Sequence, residues 1–270
     1  MINFKRAALI CVDWGSSNLR AYLIDGKGEV LARLQSDKGV LNFSAGQYGP
    51  ELSTLLQPWL REKPVHVMLP GMVGSAQGWQ DAGYVACPAT LADLAESLCL
   101  VSKLVVTPEP SDEQFQAYIV PGVKGLSSFD QIDVMRGEEV QIFGALLATY
   151  PDAAQVTEHA SPLVCLPGTH SKWAQVSMTP NESDAFSRAS SAHSRITQFS
   201  TYMTGELFEA ISEHTILRHS VSIQDAPDET FASTAASLAK RSGSIEGQLF
   251  GLRARHLLGS GDEKELRQEL

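Results

Sequence analysis

The sequence predicts an α/β protein built on mixed sheets, with two halves that open alike. Three observations carry this reading. Apolar runs of strand length alternate with amphipathic helical stretches. The first three such runs follow one another with no helix between them, which sets the order apart from a pure βαβ series. The opening unit is a strand, a small hydroxyl-rich loop with a cation, and a second strand, and it recurs in the second half.

Ala8-Leu-Ile-Cys-Val12 is apolar throughout and reads as a buried strand. Leu19–Ile24 and Glu29–Leu34 are two more, joined by the Asp25-Gly26-Lys27-Gly28 turn. After a loop over Gly39–Gly49, Leu52, Leu55, Leu56 and Leu60 share one face of a helix over Pro50–Arg61. Val65–Leu69 is a short buried strand, Leu91–Leu100 a short amphipathic helix, and Leu104–Thr107 and Tyr118–Val120 are strands. The first half therefore reads β-β-β-α-β-α-β. Asp130–Tyr150 links the halves and holds a helix carrying Val140, Phe143, Leu146 and Leu147. The second half repeats the opening with strands at Leu163–Leu166 and Trp173–Met178, and a third is expected near Asp184–Ser190. Helices follow near Thr204–His214, Glu229–Arg241, Ser244–Leu257 and Glu263–Leu270. The expected division is a first domain over residues 1–133 and a second over 134–270.

With 270 residues, 43% hydrophobic and 19% charged, the chain has the make-up of a soluble globular enzyme. A net charge of −10 argues against nucleic acid and anionic membranes as partners, while leaving room for a local positive cleft. No apolar run approaches the ~20 residues of a membrane helix. Met1–Arg6 leads into the first strand without the pattern of a signal peptide. Cys11, Cys87, Cys99 and Cys165 are scattered and form no C-x-x-C pair, so buried free thiols and a cytoplasmic location are expected.

Asp13-Trp14-Gly15-Ser16-Ser17-Asn18-Leu19-Arg20 supplies the first candidate site. An Asp at a strand tip can hold a Mg²⁺-bound water, small residues offer N–H groups and hydroxyls to phosphate oxygens, and Arg20 adds a fork. The segment is neither a Walker loop nor a dinucleotide fingerprint. Taken alone, it suits an ordinary polar hairpin equally well. Pro167-Gly168-Thr169-His170-Ser171-Lys172 repeats the device, and two such loops facing one another would grip a polyphosphate from both sides.

Gly71 and Gly74 allow close approach, Ser75 and Gln77 offer hydrogen bonds to hydroxyls, and Trp79 offers a ring to pack on, which suits a small-molecule pocket. A plain strand-to-helix loop is the alternative. Arg136, Glu138 and Glu139 are the catalytic constellation outside the loops: a carboxylate to orient and deprotonate an attacking hydroxyl, and an arginine for a substrate carboxylate. Adjacent residues point to different faces, so one glutamate is expected to reach the site; a solvated helix N-terminus is the alternative. His170 is either a phosphate donor or a turn residue. Met203–Phe208 either admits a nucleotide at a helix N-terminus or is a capped helix.

Five blocks together resemble the 2-dehydro-3-deoxygalactonokinases: Val12–Arg20, Pro70–Ser75, Val134–Glu139, Leu166–Trp173 and Tyr202–Phe208. The resemblance implies a two-domain actin-like ATPase (ribonuclease H-like) fold. It implies ATP-dependent phosphorylation of 2-dehydro-3-deoxygalactonate on its 6-hydroxyl, with ATP and Mg²⁺ as cofactors and a sugar acid as the small-molecule partner. On that model Asp13 is the magnesium-side and catalytic aspartate. Gly15, Ser16, Ser17, Asn18 and Arg20, with Gly168, Thr169, His170, Lys172 and Gly205, serve the nucleotide. Gly71, Met72, Gly74, Ser75, Gln77 and Trp79 are assigned to the sugar acid mainly on this resemblance, while Arg136 as its carboxylate fork and Glu138 or Glu139 as the base rest on side-chain chemistry.

A phosphohydrolase of the same fold, or a sugar-acid-binding fragment without turnover, are the competing functions. Nothing in the sequence separates the galactonate-derived acid from its epimer, or reads the oligomeric state. The family fold expects further terminal strands and an adenosine-side glycine turn after the helices. The charged run Asp262–Leu270 supplies neither, so an incomplete second domain, exposed apolar helix faces and weak ATP binding are expected.

Overall fold

β1 (Ala7–Trp14) is the axis of the first sheet, with Ile10, Val12 and Trp14 alternating inward and fully buried. β2 (Leu19–Asp25) returns antiparallel to it, and β3 (Val30–Ser36) antiparallel to β2. Asp25 closes the turn between β2 and β3, its Oδ1 accepting from the N–H groups of Lys27 and Glu29 at 2.9 Å each. β4 (His66–Leu69) lies parallel on the other side of β1. The remaining strands are β5 (Tyr84–Ala86), β6 (Ala89–Thr90), β7 (Cys99–Lys103), β8 (Gln116–Ile119), β9 (Gly122–Leu126), β10 (Ile132–Met135), β11 (Leu163–Leu166), β12 (Ser171–Met178) and β13 (Ser194–Tyr202). The first sheet has the order β3-β2-β1-β4-β8-β7, a mixed sheet, as the three consecutive opening strands predict.

This computed structural model describes residues 2–44, 46–103, 116–150, 160–179, 194–221, 231–238, 240, 245–260, 263, 266–267 and 270. By spatial contact the chain forms two compact units: Met1–Leu166 with Lys172–Thr201, and Pro167–Ser171 with Tyr202–Leu270.

In the first unit, α1 (Tyr48–Leu60) buries Leu52, Leu56, Trp59 and Leu60 on the stripe that its leucine spacing predicts. Trp14, Phe43, Tyr48 and Trp79 form an aromatic cluster with ring centroids 5.5–6.0 Å apart. The helix expected over Leu91–Leu100 is shorter. α2 (Leu91–Glu96) starts from a capping box between Thr90 and Asp93, and by Cys99 the apolar run has become β7, paired with β8. The strand expected at Leu104–Thr107 lies outside the described residues.

Two further sheets complete this unit. β10-β9-β5 is a three-stranded sheet that the sequence reading missed, because Gly122, Lys124 and Gly125 weaken the strand signal. The third sheet, β11-β12-β13-β6, contains the expected second hairpin. Its third strand is β13; the one expected at Asp184–Ser190 lies outside the described residues. α3 (Glu138–Thr149) packs Ile142, Phe143 and Leu146 into a second core with Val176, Ile196 and Phe199.

The second unit holds α4 (Thr204–His214), α5 (Phe231–Leu238) and α6 (Ile245–Leu257); Ile211 of α4 and Leu249 and Leu252 of α6 join Leu217, Val221 and Leu266 in a small core. Phe250, Leu257 and Leu258 are exposed. The helix expected over Glu263–Leu270 lies partly outside the described residues. No described helix is long and apolar enough to cross a membrane. All four cysteines are free, but none is fully buried and Cys165 is exposed, which corrects the expectation of buried thiols. Burial still pushes the Cys11 and Cys87 thiols up to about 11.

Candidate active site

The first loop is built by what happens to its carbonyls. Gly15, Ser16 and Ser17 present their C=O groups to the N–H groups of Val40, Leu41 and Gly39, at 2.9, 3.2 and 3.0 Å. Gly15 N–H closes the loop onto Asn18 O at 2.9 Å. The N–H groups of Ser16, Ser17 and Asn18 have no acceptor among the described residues, and Ser17 and Asn18 are exposed. Carbonyls held from behind and consecutive N–H groups left free make an anion-binding concavity. Gly39 permits this: a Cβ there would lie 2.1 Å from Ser16 O. The sequence reading placed Gly39 only at the start of a loop. Trp14 anchors the other side, fully buried, with its Nε1 donating to Lys38 O at 3.2 Å.

The second loop repeats the pattern within its own unit. Gly168 O accepts from Gly205 N–H at 3.2 Å and from Thr204 Oγ1 at 3.2 Å, and Thr169 O accepts from Glu206 N–H at 3.1 Å. The N–H groups of Gly168, Thr169 and His170 have no acceptor among the described residues, and all three residues are exposed. Gly205 plays the part of Gly39, since a Cβ on it would lie 2.8 Å from Gly168 O. The first N–H groups of α4 are therefore used by the loop, so this helix end is capped and Gly205 shapes the loop from behind. His170 Nε2 pairs with Glu206 Oε2.

Lys172 departs from the phosphate role expected of it. It is buried, and its Nζ donates to Val134 O at 2.9 Å and to Thr201 Oγ1 at 2.7 Å. Thr201 in turn gives its hydroxyl and its N–H to Asp133, at 2.7 Å each. The cation thus ties β12, β10 and β13 together.

Asp13 ends β1 opposite Arg20 of β2. Its carboxylate is half-buried and has no hydrogen-bond partner among the described residues; burial pushes its pKa up, and the Arg20 charge lowers it by less. Gly71 lies against it, in the left-handed region at φ 97°: a Cβ there would be 3.2 Å from Asp13 Oδ1 and 2.9 Å from Trp14 O. Gly137, at φ 104°, lies on Gly71, its own Cβ position being 3.3 Å from Gly71 Cα. Three of the sequence motifs therefore meet in one place through two glycines that no other residue replaces without strain.

Beyond Gly137, both glutamates fold back over the N-terminus of α3. Glu138 Oε2 accepts from Arg136 N–H at 2.9 Å, and both Glu139 oxygens accept from Gly137 N–H, at 2.8 and 2.7 Å. Glu138 remains partly exposed, whereas Glu139 has no exposed surface. Burial pushes the Glu139 carboxyl up to about 8, against the backbone hydrogen bonds and the Arg136 charge, which lower it. Arg136 projects under the ring of Tyr84, 4.3 Å from its centroid, and its Nη2 donates to Gly83 O at 2.9 Å.

The expected sugar pocket is only partly assembled. Gly74 and half-buried Met72 sit beside this cluster, but Ser75 is buried with its hydroxyl donating to Met72 O at 2.8 Å. Trp79 is stacked on Tyr48 at an interplanar angle of 9°, as part of the aromatic cluster. Gln77 is exposed.

A family model described as 2-keto-3-deoxy-galactonokinase matches residues 13–270. A Rhizobium meliloti protein named as a probable 2-dehydro-3-deoxygalactonokinase is 35% identical over 268 residues, covering 96% of this chain and 75% of the relative. The 2-dehydro-3-deoxygalactonokinase of Escherichia coli is 32% identical over 254 residues, covering 94% of this chain and 73% of the relative. A crystal structure from Sinorhizobium meliloti, assigned as a 2-dehydro-3-deoxygalactonokinase, superposes with a TM-score of 0.71 at 32% identity, over 97% of this chain and 77% of that one. The chain belongs to the 2-keto-3-deoxy-galactonokinase family.

Proposed function

We propose that this chain transfers the γ-phosphoryl group of ATP to the 6-hydroxyl of 2-dehydro-3-deoxygalactonate, releasing ADP and the 6-phosphate. The observation that carries the reading is the shared construction of the two loops. Each has its carbonyls held from behind across a close-approach glycine, and each leaves consecutive N–H groups free for phosphate oxygens. Family membership and the names of the relatives support the acceptor.

Phosphoryl transfer of this kind needs positioning and charge stabilisation more than covalent chemistry. Residues 16–18, with Arg20 adding a charged fork, would bind phosphate oxygens, and residues 168–170 offer the same kind of donor set in their own unit. Asp13 fits a hydrated Mg²⁺: it is a half-buried carboxylate without a partner among the described residues, and magnesium takes one or two carboxylates and completes its shell with water and phosphate oxygens. When bound, the ion would neutralise charge on the phosphates. Glu138 is the base in this reading, because its carboxylate is partly exposed and keeps one oxygen free. Glu139 is sealed in and holds Gly137.

We also read residues 1–133 and 134–270 as the two domains of an actin-like ATPase fold. The repeated strand–loop–strand opening and the three-strand orders β3-β2-β1 and β11-β12-β13 support this. The four free cysteines support a cytoplasmic location.

The test is ADP release measured with and without the sugar acid, with the product's phosphate position read by NMR. The expected result is ADP formation only with the acid present, and phosphate on the 6-oxygen. Equal ADP release without the acid would make the protein a hydrolase; no ADP in either case would leave it a binding protein.

A further inference from the structure

Arg136 is a buried cation with donors left over. Its side chain is 4% exposed. Nη2 is taken by Gly83 O, but Nε and Nη1 are buried and have no hydrogen-bond partner among the described residues. Buried polar groups are normally paired, and an orphaned charged donor is among the least favourable arrangements a fold can keep. The nearest acidic side chain with which it forms an ion pair, Asp81, stands 3.9 Å from Nη2 and is 58% exposed, too distant and too wet to compensate it. Glu139 lies close enough to feel the Arg136 charge, but burial works against its ionised form and weakens that compensation.

The surroundings are shaped for a flat guanidinium. A Cβ on Gly74 would lie 2.9 Å from Nη1 and 2.5 Å from Ile119 Cγ2, so only glycine leaves the group its place. The Tyr84 ring covers one face at 4.3 Å and is itself seated on Gly122, where a Cβ would come within 2.7 Å of the ring. A lysine would satisfy neither the ring nor Gly83 O with the same plane. The groove of about 520 Å³ along Gly83 and Tyr84 is also lined by Asp93 and Glu96, which repel an anion. On the Nη1 side lies Gly74, in the same motif as Gly71, which meets Asp13 and Gly137.

We propose that Arg136 is the carboxylate anchor of the sugar-acid site, its unpartnered Nε–H and Nη1–H groups receiving the substrate's acid end and so selecting an acid over a neutral sugar. This deepens the kinase reading and rests on it for the identity of the acid.

Arg136→Met is the test, because methionine fills the space and removes the orphaned charge. The affinity for the 2-keto-3-deoxy sugar acid, read by calorimetry without ATP and as KM in turnover, is expected to fall at least ~30-fold, the scale of removing one partner of a buried charge pair. Binding of the analogue carrying a primary alcohol in place of the carboxylate should stay unchanged. Resistance to urea should be equal or higher, which a purely structural arginine would not give. Arg136→Lys keeps a cation should methionine not fold, and is expected to lose ~10-fold in acid affinity. An unchanged acid-to-alcohol preference in either variant, or no binding of the acid by the unaltered chain, overturns the proposal. Acid binding through Arg136 without ADP formation would overturn the kinase reading alone.

Discussion

Glu139→Gln should leave catalysis nearly intact and change how stability depends on pH. Glu139 has no exposed surface, and burial raises its pKa from 4.5 to about 8 in the folded chain. The folded protein therefore holds this proton to higher pH than the unfolded chain does. Its favourable contribution is complete below about pH 4.5 and is lost as pH rises towards about 8. At about 1.36 kcal/mol per pKa unit, the loss is at most ~5 kcal/mol. Glutamine keeps an oxygen for Gly137 N–H and carries no titrating proton, so its stability lacks this slope. All four tryptophans, Trp14, Trp59, Trp79 and Trp173, lie in the first unit with Glu139. Urea unfolding followed by tryptophan fluorescence at pH 5 and at pH 9 thus reads the relevant unit. The variant should match the parent at the lower pH and exceed it by ~2–5 kcal/mol at the higher one. A stability difference that is flat across this range would refute the burial argument. A fall in kcat of roughly 10²-fold or more would show that Glu139, rather than Glu138, acts as the base.

Glu138→Gln should lower kcat by roughly 10²–10⁴-fold with little change in the KM for ATP, measured by coupled ADP release. Asp13→Asn should lower turnover by roughly 10²–10³-fold while tryptophan fluorescence reports an unchanged fold, since the lost group faces charge that develops on the phosphates. Gly39→Ala places a Cβ 2.1 Å from Ser16 O and must displace the first loop; about 1–3 kcal/mol of stability and most of the ATP affinity should go, by urea unfolding and calorimetry.

The first hairpin and sheet were legible because their signals are local. Ile10, Val12 and Trp14 alternate, Asp25-Gly26-Lys27-Gly28 is a turn by composition, and α1 declares itself by leucine spacing. β13 was not legible. Ser194-Arg-Ile-Thr-Gln-Phe-Ser-Thr-Tyr202 has only Ile196 and Phe199 as strong buried apolar residues, and its buried Ser194 and Ser200 read as loop residues. The β-branched and aromatic residues at 196, 197, 199, 201 and 202 were the available signal. β9 was hidden by Gly122 and Gly125, whose bareness is required by tertiary neighbours: Tyr84 in one case, Cys87 and Phe199 in the other. Sequence periodicity cannot register a glycine chosen for what lies across from it.

The same distinction explains the site. The residue types proposed for the chemistry were legible, since Asp13, Arg136 and the glutamates are conspicuous where they stand. Their division of labour was not, because it depends on burial and on which N–H each group meets. Lys172 and Arg136 are both cations in motif-like segments and both are buried, yet their surroundings separate them. Lys172 gives two of its three donors to Val134 O and Thr201 Oγ1 and so ties three strands together. Arg136 meets one carbonyl and a ring, and keeps two donors free in a place where free donors are costly. Glu138 and Glu139 separate in the same way, one with an oxygen available and one with both oxygens on Gly137 N–H. In each pair the member with more of its polar atoms engaged holds the frame, and the less engaged member is the one proposed to meet the substrate.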